Sequence, residues 1–301
     1  MSASQLWDKR RNNGPEESCP PVYAHEELHV DLEVKRLCAA TKGKAVDRGD
    51  GRTAQALRPI FLQCGLIPQA SGSAYIETGG MKIACAIYGP RQIRGRQYSG
   101  KAELNVDVRY SPFATEWRKR PGKDAESASL GHHIHEALLP SLRLDLLPKA
   151  SIDVLVQILE ADGPEESCIA AAVTVASTAL AEAGIETYGL VAGVCGAFVT
   201  CSSYTKASTS SAAVAVLPSP SFSLLVDPTR LEVQTSSALG WLQLNAMPAL
   251  GSVTSMRHAV RGGMDSDELD AAVQQLMEKA VEVHYVMAKT LSENFASAQQ
   301  S

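Results

Sequence analysis

Residues 162–190 read DGPEESCIAAAVTVASTALAEAGIETYGL: a Gly-Pro turn, a serine, then an alanine-rich run of helical character. A helix N-terminus offers unpaired N–H groups and partial positive charge, which makes it a natural cradle for phosphate. Here Glu165 and Glu166 stand where an anion would sit, with Ser167 expected as the N-cap. Acids in a first turn also favour the helix dipole without binding anything. Phosphate recognition needs Arg or Lys beside the backbone donors. No Lys or Arg occurs between Lys149 and Lys206, whereas Asp153, Glu160, Asp162, Glu165, Glu166, Glu182 and Glu186 all lie there. An anion site at this turn therefore needs a cation from a distant segment or another chain.

Metal-assisted phosphoryl chemistry needs acids clustered in one site. Asp227 opens DPTRLE, but after Glu232 no acidic residue appears before Asp265. Asp-Pro-Thr has the composition of a turn, Asp favouring the first position and Pro the second. His132, His133 and His135 lie on a predicted helix where 132 and 135 share a face and 133 does not. No Cys or further His completes a tetrahedral set, so no metal is expected. There is no GxSxG or P-loop, and a free Cys is not a nucleophile without a placed base.

The strongest positive feature is RYSPFATEWRKRPGK, in which Arg109, Arg118, Lys119, Arg120 and Lys123 are interleaved with Tyr110, Phe113 and Trp117. Cations for phosphates and rings for bases are what single-stranded nucleic acid requires. Equally, the rings could be buried against a partner protein and the charges left in solvent. Arg91, Arg94, Arg96 and Lys101 form a second basic segment, GPRQIRGRQYSGK. Both segments follow strand ends, which allows them to converge.

The elements that must position these residues begin near Leu57. RPIFLQCGLI reads as a strand, and GSAYIETGGMKIACAIYGP as a hairpin turning on Gly79-Gly80. KAELNVDVRY is a third strand, 124–139 a helix with Leu130, Ile134 and Leu138 on one face, and SIDVLVQIL a buried strand. A second helix follows over 168–183, then YGLVAGVCGAFV, whose glycines allow close backbone approach. SFSLLVDPTRLEV, GWLQLNAMP and GSVTSMRHAV read as short strands before a long amphipathic helix from Asp265. Its stripe is Leu269, Val273, Leu276, Ala280, Val283, Met287 and Leu291, and Asp265 with Glu268 resembles a capping box. The spacing predicts an α/β layer structure. Residues 1–52 form a polar, Gly- and Pro-broken extended arm, 53–295 a single domain with a Ser/Thr-rich surface insertion at 201–221, and 296–301 a tail.

Composition excludes several classes. With 301 residues, 45% hydrophobic and 20% charged, the chain is of globular type. A net charge of -5 means that nucleic-acid binding must come from a local patch. Seven cysteines without a CxxC pair fit free thiols in a reducing compartment. The opening MSASQLWDKRRNNG lacks the apolar run of a secretion signal, and no membrane span is expected.

On these motifs, DGRTAQALRPIFLQCGLIPQASGSAYIETGGMKIACAIYGPR resembles the opening of RNase PH-type domains through its DGR, RP, GSAYIE, GG, KI and GPR series. ADGPEESCIAAAVTVASTALAEAGI and DPTRLE extend the likeness to about residues 50–290. SPFA, YGLVAGV and DPTRLE point to RNase PH-like subunits of the eukaryotic RNA exosome ring, of the mRNA-transport-regulator type. The resemblance implies an α/β (α+β) fold of ribosomal protein S5 domain 2-like type. It also implies a hexameric ring threaded by RNA, with other RNase PH-like subunits and S1/KH-type caps as partners and with no cofactor. The expected location is nucleus and nucleolus, and also cytoplasm.

Active relatives use inorganic phosphate to release 3′-terminal nucleotides as diphosphates, with an arginine in a Gly-Thr-Arg-Thr-Ala loop at a helix start and a carboxylate cluster on a later strand. The loop here reads GPEESCIAAA, the arginine position falling on or near Ile169 beside Glu165, Glu166 and Ser167. The later strand reads EVQTSSALGWLQL, where only Glu232 is acidic. LGHHIHEAL places His132 and Glu136 near positions that bacterial relatives fill with arginine. Two carboxylates against a phosphate dianion cost several kcal/mol if close and poorly screened, on the order of 4 kcal/mol per charge pair at 4 Å. The resemblance thus implies a noncatalytic ring subunit, with Glu165, Glu166, Ser167 and Ile169 as a degenerate phosphate site. Arg94, Arg96, Arg109, Arg118, Lys119, Arg120 and Lys123 are the RNA-binding candidates. The alternative is a phosphate-dependent 3′-5′ exoribonuclease whose site is shared between subunits.

Overall fold

The computed structural model describes residues 48, 50–92, 100–115, 118–119, 125–200, 222–235, 238–261 and 264–300. Most of the predicted arm, the 201–221 insertion, and Arg94, Arg96, Arg120 and Lys123 lie outside them.

Strands β1 (Ile60–Cys64), β2 (Gly72–Thr78) and β3 (Met81–Gln92) form an antiparallel meander. The β2–β3 hairpin turns on Gly79, whose φ of 57° suits glycine. Strand β4 (Glu103–Tyr110), helix α1 (Ala125–Leu138) and strand β5 (Ala150–Glu160) make a crossover, because β4 and β5 are parallel and need a long connection. Strand β5 inserts between β3 and β4, giving the order β1-β2-β3-β5-β4. The predicted face of α1, Leu130, Ile134 and Leu138, is buried.

Helix α2 (Glu165–Glu182) follows, then β6 (Ala192–Thr200), β7 (Phe222–Val226), helix α3 (Arg230–Thr235), β8 (Gly240–Met247), β9 (Ser252–Val260) and helix α4 (Ser266–Gln300). The second sheet is antiparallel in the order β7-β6-β8-β9. Every residue of α2 from Ser167 to Leu180 is buried, as expected of a helix apolar all round. It lies against β1, β2 and β3 of the first sheet and β6 and β8 of the second. Two glycines make this possible. A Cβ built on Gly72 would lie 2.5 Å from Ala179 O, and one on Gly193 would lie 2.3 Å from Ala170 O. Two polar side chains of α2 accept bonds where the helix meets the chain entering β6: Gly193 N donates to Thr174 Oγ1 at 3.0 Å and Val191 N to Ser177 Oγ at 2.8 Å. Leu276, Ala280, Val283 and Met287 of the α4 stripe are buried. No helix among the described residues is long and apolar enough to cross a membrane.

The structure corrects four expectations. Ser167 is not the N-cap of α2: that position is Pro164, without a side-chain capping bond, and the helix starts at Glu165 rather than 168. The strand read through DPTRLEV ends at Val226: the chain turns at Asp227 (φ 49°), as the Asp-Pro-Thr composition indicated, but it then enters α3, a helix not expected there. There Glu232 N donates to Thr229 Oγ1 at 3.2 Å and Thr229 N to Glu232 Oε2 at 2.8 Å, a reciprocal capping box that TRLE spells out. Arg48, inside the predicted arm, is only 2% exposed and donates to the carbonyls of Ala54, Ala56 and Val226, so the folded part begins before 53. Finally, the two basic segments leave opposite ends of the first sheet. Gln92 at the end of β3 pairs with Ala150, whereas Tyr110 at the end of β4 pairs with Ile158. That separates their roots by roughly 26 Å at about 3.3 Å per residue.

Candidate functional site

At the mouth of α2, Glu165 is exposed and Glu166 half-buried, while Ser167 and Ile169 face inward. Ile169, 1% exposed, belongs to the core, so a side chain at that position does not reach the helix mouth. The outward positions of the first turn are therefore the two glutamates. Burial pushes the Glu166 carboxyl up; its own backbone N–H partly opposes this, Glu165 adds to it, and Arg257 of β9 pulls the other way.

A carboxyl raised in the fold is ionised at a stability cost that sets in as pH climbs past the ordinary carboxylate range and is complete above the folded value. Glu166→Gln removes that cost. The variant is expected to melt higher than the parent at pH 7, the difference vanishing as pH falls below about 4. Thermal melts across pH check this, and an offset independent of pH overturns it.

The motifs that carried the family resemblance converge on a second cluster, beneath the joint of the two sheets. Arg58 of the RP pair donates from Nε to Asp227 Oδ2 at 2.9 Å, from NH2 to Oδ1 at 2.6 Å, and from its backbone N to Oδ2 at 3.2 Å. Its NH1 lies 3.8 Å from Asp162 of the ADG turn. Gly79 lets the Arg58 stem pass, a Cβ there falling 3.1 Å from Arg58 Cδ. Burial opposes the Arg58 charge, but the bonds to Asp227 outweigh it and its pKa is raised. Burial raises Asp162, with Arg58 partly offsetting. Glu232, only 5% exposed, lies 3.7 Å from Arg48 and 3.8 Å from Arg52 of the DGR motif, and Arg52 also meets Asp50 at 3.1 Å. The two acids of DPTRLE thus hold the fold together through Arg58, Arg48 and Arg52.

Of the RNA-binding candidates within the described residues, Arg109 is exposed and donates from Nε and NH2 to Asp107 at 3.1 and 2.8 Å. Arg118 is exposed, and the Lys119 ammonium sits 3.9 Å from the centroid of the Tyr110 ring. Ala161 N donates to Ala114 O at 2.9 Å, which ties the start of this loop to the residues leading into α2. His132 and Glu136 approach at 3.1 Å, and His133 and Glu136 at 3.8 Å. Burial, then Arg257, lowers the His133 pKa. Among the described residues, no three His, Cys, Asp or Glu side chains are grouped to hold a metal.

Sequence reasoning missed Arg257 and Trp241. The Arg257 guanidinium lies 5.4 Å over the Trp241 ring, on adjacent strands, and within electrostatic reach of both Glu166 and His133. A single arginine in an edge strand carries no spacing signal. The Thr229–Glu232 box, by contrast, was visible as T-x-x-E.

The family model for domain 1 of the 3′ exoribonuclease family (RNase PH) matches residues 56–186. Exosome complex component MTR3 of Homo sapiens is 34% identical over 297 residues, covering 94% of each chain. Among solved structures, rice (Oryza sativa) Rrp46 matches with a TM-score of 0.65 and 18% identity over 81% of this chain and 100% of that one. The archaeal exosome core matches with a TM-score of 0.62 and 16% identity over 88% and 99%. With the RP, ADG and DPTRLE motifs meeting at Arg58, the family match over 56–186 and a relative this similar over nearly its whole length, the chain belongs to the RNase PH family.

Proposed function

We propose that the chain is a noncatalytic ring subunit of an RNA exosome, supporting 3′-5′ RNA processing and degradation by forming part of a channel that RNA threads. Its partners are other RNase PH-like subunits and S1/KH-type caps, in the nucleus, nucleolus and cytoplasm. The similarity to an exosome complex component supports the assembly. One observation carries the lack of chemistry: α2 presents Glu165 and Glu166 at its mouth, while Asp227 and Glu232 are engaged by buried arginines. A phosphate dianion would meet two carboxylates there, and no acid of DPTRLE is free to hold a metal.

The test uses the reconstituted ring, with inorganic phosphate and single-stranded RNA. No release of nucleoside diphosphate is expected. RNA crosslinking to this chain is expected to fall about tenfold or more when Arg118, Lys119, Arg120 and Lys123 become alanine, as contacts to phosphate are lost. Phosphate-dependent release that Glu232→Gln abolishes in an intact ring would instead establish the shared-site exoribonuclease.

A further inference from the structure

We infer that Phe113 is a stacking platform for an unpaired RNA base, presented beside Arg118 on a clamped turn. This rests on the reading of the basic loop as an RNA surface and names the residue that makes the base contact. The turn after β4 is fixed at both ends. Ser111 N donates to Ile158 O at 2.8 Å, Ala114 N to Ser111 O at 2.9 Å, and Ala161 N to Ala114 O at 2.9 Å. Gln157 Nε2 donates to Ser111 Oγ at 2.8 Å. Ser111 and Ala114 are buried, so the two residues between them, Pro112 and Phe113, form the outward tip.

Phe113 is 75% exposed. A phenyl on a loose loop can fold back onto the surface, whereas one between two buried anchors keeps its apolar face in water until something covers it. Of the rings foreseen for base contact, Tyr110 already has one face taken by the Lys119 ammonium. Lys119 N donates to Pro112 O at 3.1 Å, which folds the half-buried Lys119 and the exposed Arg118 before it back toward the tip.

The surroundings select the occupant. Lys119 N is bonded to Pro112 O, next to Phe113 in the chain, Arg118 precedes Lys119, and Arg109, with Asp107 bound to it, stands near the end of the strand that leads into the turn. A protein pocket closing over the phenyl would have to desolvate those cations. A single-stranded RNA brings phosphates to them and a base face to the ring, without demanding a particular base.

The experiment measures the affinity of the reconstituted ring for oligouridylate and oligoadenylate across a salt series. Phe113→Ala is expected to weaken both about fivefold or more at every salt concentration, with the salt slope unchanged. Phe113→Trp is expected to restore binding. Arg118→Ala and Lys119→Ala are expected to reduce the slope by roughly one each. If those cation variants act and Phe113→Ala does not, the stacking role is overturned while the RNA surface stands. If none of the three changes affinity, the RNA reading of this loop falls with it. If Phe113→Ala depletes assembled rings while those that form bind RNA normally, the phenyl belongs to a protein interface and the inference is wrong.

Discussion

Arg58→Ala is expected to cost about 3–5 kcal/mol, the range for removing one partner of a buried ion pair. The guanidinium makes two side-chain bonds to Asp227 at 2.9 and 2.6 Å and its backbone N makes a third to the same carboxylate. Without it, Asp227 keeps a single donor from this residue, at a turn held at φ 49°. Asp162 loses its neighbour as well. For a domain of this size the melting temperature should fall by roughly 6–20 °C. Arg58→Lys keeps a charge but cannot reproduce the fork, so it should fall between. Arg58→Leu combined with Asp227→Asn should recover part of the loss, since no uncompensated charge remains at position 227 and only that of Asp162 is left. Urea melts of the purified chain and its yield in the ring measure this. A melt of Arg58→Ala within about 1 kcal/mol of the parent would show that the cluster is not the tie described.

Gly193→Ala is expected to be the next most damaging change, at about 1–3 kcal/mol or more. The new methyl carbon would sit 2.3 Å from Ala170 O, so α2 must move away from the second sheet. It has little room to do so, because on the first sheet Gly72 already accepts the helix so closely that a Cβ there would lie 2.5 Å from Ala179 O. Combining Gly72→Ala with Gly193→Ala should therefore cost more than the sum, as each blocks the other's relief. Gly189→Ala is the control: its methyl meets Met247 at 3.8 Å, ordinary contact, and should be nearly neutral. Denaturant melts of the four variants decide the point, and additivity within about 0.5 kcal/mol would sink the squeezed-helix account.

Wherever a pattern repeated within one element, the sequence was legible. The alternation of GSAYIETGGMKIACAIYGP gave β2, the Gly79 turn and β3, and Leu130, Ile134 and Leu138 marked the buried face of α1. The alanine-rich run foretold a helix, and the glycines after it a close backbone approach, which Gly193 makes against Ala170. Boundaries were harder. Ser167 has the residue type of an N-cap, yet the Gly-Pro turn starts α2 at Glu165 and turns Ser167 inward. DPTRLEV was read as the end of the SFSLLV strand, although Asp-Pro-Thr has the composition of a turn and the T-x-x-E spacing that of a helix start.

The sequence by itself determined the order of strands and helices apart from α3, the membership that its motifs imply, and the absence of any Lys or Arg between Lys149 and Lys206. These are local properties, set by side-chain periodicity and composition over a few turns. Only the tertiary structure decided what the motif residues do. Arg58 and Asp227 are 169 positions apart, and nothing in either segment names the other. Their pairing depends on how two sheets close over α2. Topology likewise set the two basic segments at opposite ends of the first sheet, because β3 runs antiparallel and β4 parallel to the same strand.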